Sequence, residues 1–132
     1  MKKKLILVII LIALSIFVKI PNYVELNNLA IIESIGIDYN NSHYTIYLKE
    51  VIPIKDDLGI NYKYKYYKDD GKNIRETITK LKSKTKKKLY LDKVKFLVTN
   101  TTTSMKISKE LNINFKYIYH TKNNILKKLK EI

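Results

Sequence analysis

Residues 5–18 read LILVIILIALSIFV, an apolar run without a charge, and no later apolar segment matches its length. Beyond residue 26 the pattern changes to short apolar stretches punctuated by Lys, Asn and Asp. Residues 29–37 (LAIIESIGI) place apolar side chains on both parities, interrupted by Glu33 and Ser34. That pattern predicts a strand covered on both faces, hence central in its sheet. Gly36 near its end suits a bulge or a close backbone approach. Residues 38–42 (DYNNS) form a turn cluster, and residues 43–52 (HYTIYLKEVI) alternate as the second arm of a hairpin that Pro53 is expected to end. After a loop over residues 55–60, residues 61–68 (NYKYKYYK) alternate tyrosine and lysine. They predict a half-buried edge strand with Tyr62, Tyr64 and Tyr66 on one face and Lys63 and Lys65 on the other, the lysines guarding the edge.

Residues 69–71 (DDG) read as a turn. Asn73 followed by Glu76 predicts a capping box, and Ile74, Ile78 and Leu81 share one helical face opposite Arg75, Lys80, Lys82 and Lys84. The basic cluster at residues 84–88 then suits the negative end of the helix dipole. Residues 93–98 predict a short strand, and residues 101–111 a short helix with Met105, Ile107 and Leu111 partly buried. Residues 112–119 predict a strand with Ile113, Phe115, Tyr117 and Tyr119 on one face. Residues 123–132 predict a closing helix with Ile125, Leu126, Leu129 and Ile132 inward. The expected fold is therefore α/β: a mixed sheet of about five strands with two to three helices packed on it, preceded by an N-terminal membrane-anchor helix. Residues 1–20 form the signal or anchor, and residues 21–132 a single α/β domain.

The uncharged run spans about 21 Å as a helix, short of a hydrocarbon core of about 30 Å. Snorkelling of Lys4 and Lys19 or local thinning closes the gap. Cleavage near Ala13–Leu14–Ser15 would leave Ile16, Phe17 and Val18 on the mature end, so an uncleaved anchor is the better reading. Lys2, Lys3 and Lys4 then stay cytoplasmic and the domain faces outward.

Of 132 residues, 45% are hydrophobic, enough for a modest core. The 26 basic residues against 12 acidic ones give a net charge of +14. Such a balance raises nucleic acid as a partner, and the tyrosine and lysine ribbon at residues 61–68 resembles a stacking platform for single strands. Yet Arg75 is the only arginine, and phosphate and base recognition favour the arginine fork. A solvated, lysine-rich surface explains the charge more simply. With no cysteine, disulfides, thiolate metal sites and lipid attachment to cysteine are excluded.

Chemistry-bearing motifs are sparse. His43 and His120 are far apart and lack ligand-spaced partners. The pairs Asp56–Asp57 and Asp69–Asp70 sit in turn-like contexts without calcium-loop spacing. No phosphate loop, nucleophile elbow or zinc-protease motif occurs. No catalytic, cofactor-binding or metal-binding residue is assigned, and a non-enzyme is expected.

The order of segments carries a resemblance. Residues 25–38 (ELNNLAIIESIGID), with the turn and alternating strand that follow, resemble the start of the Ger(x)C family, the C subunits of spore germinant receptors. Residues 71–100 (GKNIRETITKLKSKTKKKLYLDKVKFLVTN) look like that family's helix, basic helix end, Leu-Tyr step and hydrophobic strand. Residues 113–129 look like the strand and helix that close its N-terminal domain. Three features depart from the family. Ile20 stands about where a lipobox cysteine is usual, so the apolar segment must anchor the chain. Lys93 or a neighbour replaces a family histidine. Typical members also continue into two further domains. The resemblance implies a non-catalytic, membrane-anchored subunit or accessory protein of a germinant receptor. It would sit on the extracytoplasmic side of a cell or spore inner membrane and contact membrane-embedded receptor subunits. Residues 21–26 would be a short tether, holding the lysine surface near anionic headgroups. A basic extracytoplasmic protein that binds nucleic acid or another anionic polymer is the alternative.

Overall fold

A computed structural model describes residues 26–102 and 104–132. The expected anchor over residues 1–20, and all of the tether except Leu26, lie outside the described residues. Among those described, no helix is long and apolar enough to cross a membrane.

A short 3-10 turn, Leu26–Asn28, leads into strand β1, Leu29–Asn40. Strands β2 (His43–Asp56) and β3 (Gly59–Gly71) follow as antiparallel neighbours, then helix α1, Ile74–Thr85. Strands β4 (Lys88–Tyr90) and β5 (Phe96–Thr99), helix α2 (Ser104–Leu111), strand β6 (Tyr117–His120) and helix α3 (Ile125–Glu131) complete the chain. The sheet order is β3-β2-β1-β5-β6, with β4 also paired to β1. Strands β4 and β5 both run parallel to β1, β4 beside residues 29–31 and β5 beside residues 34–37. They are one track of the sheet, interrupted at residues 91–95. The expected five strands thus become six.

The mixed α/β architecture and the central place of β1 agree with the sequence pattern. Helices α1 and α2 cover one face through Ile74, Ile78, Leu81 and Ile107, packed on Ile35, Ile37, Ile46 and Leu48. Helix α3 covers part of the other through Ile125 and Leu129, packed on Val98, Tyr47 and Tyr66. A strand buried from both sides needs apolar residues at both parities, which β1 supplies.

Several boundaries moved. Strand β1 runs on to Asn40, and the turn is only Asn41 and Ser42, with φ of 47° and 62°. Two consecutive positive φ values match the tight hairpin turn whose twist suits its strands. Pro53 does not end β2 but pairs with Tyr62 inside it. Past Glu50 the β2 ladder has a partner only in β3, so a residue without N–H is tolerated as at an edge. The residues 69–71 expected to turn stay in β3, paired with Ile46, Thr45 and Tyr44.

The bulge lies at Glu33, where the β1–β2 register shifts between Ile32 and Ser34. Gly36 serves the close approach: a Cβ there would lie 2.7 Å from Ile125 Cγ2 and 3.3 Å from Tyr47 Cβ. Ile125 Cγ2 is one bond from its Cβ and cannot swing away. Gly36→Ala is therefore expected to push α3 off the sheet and cost about 1–3 kcal/mol in urea unfolding, whereas Ala at exposed Lys127 should cost little.

The capping residue of α1 is as expected, Asn73 Oδ1 accepting from Glu76 N at 2.8 Å. Helix α2 begins later than expected, and Met105 is exposed rather than partly buried. The strand expected over residues 112–119 forms only as β6. Asn112 takes a left-handed φ of 53°, and Ile113 N donates to Ser108 O, closing α2. Phe115 then drops into the core, and Tyr117 and Tyr119 are left exposed.

Candidate functional site

Strands β2 and β3 continue beyond the rest of the sheet as a two-stranded arm made of residues 51–56 and 59–64. Its turn is fixed by Asp56, whose Oδ1 accepts from Leu58 N at 3.0 Å and whose Oδ2 accepts from the Asn61 side-chain amide. Gly59 has a φ of +131°, which side-chain-bearing residues rarely adopt. The register puts Tyr62, Tyr64 and Tyr66 on one face and Lys63 and Lys65 on the other, as the alternation predicts. The expected half-burial holds only from Tyr66 onward. Tyr62 and Tyr64 are exposed, as are Leu58 and Ile60, because neither β1 nor α3 reaches that far.

Where the arm meets the sheet, two charged groups are buried on opposite faces. On the α3 face, Lys49 is 3% exposed, with Nζ 3.4 Å from Glu33 Oε2 and 4.4 Å from the Tyr64 ring centroid. The carboxylate contact is ionic without hydrogen-bond geometry: among the described residues, Glu33 Oε2 and the neighbouring buried Ser34 Oγ have no hydrogen-bond partner. Burial pushes the Tyr66 hydroxyl pKa up, with Tyr64 and Glu33 adding to the shift.

On the α1 face, Glu50 is 1% exposed and accepts from Tyr67 Oη at 2.7 Å and from Lys87 Nζ at 3.1 Å. Burial first, and then the bond to Glu50, push the Tyr67 pKa above its ordinary value of 10.0. A raised folded pKa contributes stability that is complete below pH 10 and lost as pH rises beyond it. Tyr67→Phe is expected to cost about 1–3 kcal/mol at neutral pH, because Glu50 loses a donor, and to remove that alkaline decline. Urea unfolding at pH 7 and pH 10.5 measures both.

Lys49 and Glu50 had no role in the sequence reading. Their signal was available, since adjacent charges inside an otherwise apolar strand fall on both faces and each needs a partner. Elsewhere some of the ionisable groups make surface pairs. Lys84 bonds Asp69 at 2.9 Å and holds its carboxyl below the usual range, and exposed Lys80 does the same to Glu76.

An open groove of about 660 Å³ lies where the β4–β5 track is interrupted, with Leu89, Leu91, Val94 and Ile113 in its wall and Lys82 and Asp92 at its margin. Lys88 and Tyr90 line it as well. His43 Nδ1 lies 3.1 Å from the Asn41 carbonyl oxygen, and His120 lies at the far end of β6. Asp56 and Asp57 sit at the arm tip, and Asp69 and Asp70 near the end of β3. Among the described residues no group of His, Asp and Glu is arranged to hold a metal ion.

Compared with known families, residues 22–115 match the one described as the spore germination protein N-terminal domain. No curated protein and no solved structure matches the chain.

Proposed function

The chain belongs to the family of spore germination protein N-terminal domains, and from that premise we propose that it is a non-catalytic, membrane-anchored subunit or accessory protein of a germinant receptor. The family match gives it a germinant-receptor-related role. The observation that carries the finer reading is the order along the chain: the uncharged run at residues 5–18 is followed directly by the matched domain. The run anchors the chain in the cell or spore inner membrane. The three lysines before it hold its start on the cytoplasmic side, so the domain lies outside. There it contacts membrane-embedded receptor subunits and relays or permits the germinant signal.

The use of its buried charges supports a binding role. Glu50 is committed to Tyr67 and Lys87, and Lys49 to Glu33 and Tyr64, so these groups hold strands in register and are not free for proton transfer. Deleting the gene is expected to slow germinant-triggered germination of spores, read as loss of refractility. Unchanged germination would contradict the proposal. The competing reading, binding of nucleic acid or another anionic polymer, predicts a salt-dependent gel shift of the full chain with DNA or RNA, and no shift at low salt would end that reading.

A further inference from the structure

The described chain begins at one end of the sheet, and two other features gather at that same end. The parallel register sets Lys88 beside Leu29, so α1 delivers its basic C-terminus there, with Lys86 and Lys88 exposed. The arm leaves from there as well: a pocket of about 120 Å³ is shared by Asn27 and Leu29, where the chain enters, and by Ile52 and Pro53 at the base of the arm. Six residues in each strand give the arm about 20 Å of reach.

The end of the arm is apolar and uncovered. Leu58 is 96% exposed, Ile60 67% and Tyr62 58%. Ile60 pairs with Lys55 and Tyr62 with Pro53, so one face carries two large apolar side chains with a lysine beside them. Among the described residues Lys55, Lys63, Lys86 and Lys88 pair with no carboxylate.

We propose that this end of the molecule docks on an anionic phospholipid bilayer: Leu58, Ile60 and Tyr62 enter the headgroup layer, and Lys86 and Lys88 meet lipid phosphates. The inference rests on the anchor proposed above, which tethers this end to the membrane and leaves the opposite end, with Asn41 and Met105, away from it. Tyrosine favours the interface because its ring is apolar and its hydroxyl is wet, and lysines near an anionic leaflet are attracted to it. Asp56 is engaged within its own turn, and Asp57 at the tip opposes deeper entry, which confines contact to the headgroups. A second copy pairing along β3 is the weaker occupant, because Lys63, Lys65 and Lys68 line that edge and repel a like strand.

The chain has no tryptophan, so Leu58→Trp introduces a single probe at a site that buries nothing. The full-length variant is reconstituted in vesicles of phosphatidylglycerol and phosphatidylcholine with brominated acyl chains. Met105→Trp, at the far end, is the reference. The expected result is a blue-shifted emission for Leu58→Trp, quenched about twofold more than Met105→Trp. Pure phosphatidylcholine, or Lys86→Ala with Lys88→Ala, should weaken that quenching. Vesicles that retain the chain while both probes stay equally unquenched overturn the docking surface and leave the anchor standing. In that case the arm faces water or a protein. Quenching that is equal in the two lipids overturns the role of the lysines. A chain that washes off the vesicles overturns the anchor and this inference together.

Discussion

Ile35→Ala is expected to lower the unfolding free energy by about 2–5 kcal/mol. Ile35 is fully buried in the central strand, paired with Leu48 on one side and Leu97 on the other, beneath α1 and α2. The truncation removes apolar contacts, and neighbours held by two ladders cannot collapse into the space. A domain of this size is typically stable by about 5–15 kcal/mol, so the loss is a large share of the total. Urea titration of the full chain in mild detergent, followed by circular dichroism, measures it. Leu58→Ala, at the exposed arm tip, is the contrast and should leave the midpoint unchanged.

The second large effect is expected from Lys87→Ala. It leaves the Glu50 carboxylate buried with Tyr67 as its remaining donor. Breaking a buried ion pair from one side costs about 3–5 kcal/mol, and because Lys87 is itself about one-third exposed the expected loss is lower, about 2–3 kcal/mol. Adding Glu50→Gln should recover part of that loss, since the amide still accepts from Tyr67 and carries no charge. Loss that persists unchanged in the double variant would show that Lys87 acts through packing and not through its charge.

The same arrangement explains what the sequence revealed. Strand β1 was legible because residues 29–37 are apolar at both parities, and α1 because Asn73 caps it and Ile74, Ile78 and Leu81 share a face. Strand β4 was not, because Lys88, Leu89 and Tyr90 continue a run of lysines that reads as a helix end. Their strand state comes from pairing with residues 29–31, far away in sequence. The shift of β6 has a similar cause. The alternation over residues 112–119 is real, but the left-handed turn at Asn112 spends its first part on closing α2. The facing of Tyr62, Tyr64 and Tyr66 was readable from parity. Their exposure was not, since it depends on how far β1 and α3 extend. The Ger(x)C resemblance, carried by the segment at residues 25–38 and the order of those after it, agrees with the family match over residues 22–115.

The proposal that this fold works at a membrane by touching receptor subunits can be tested directly. The most direct measurement is crosslinking of the tagged, full-length chain in washed spore inner membranes, followed by identification of what it captures. The account predicts that the chain stays with the washed membranes and is captured together with multi-span receptor subunits. Recovery of the chain in the soluble wash, without such a partner, would contradict it.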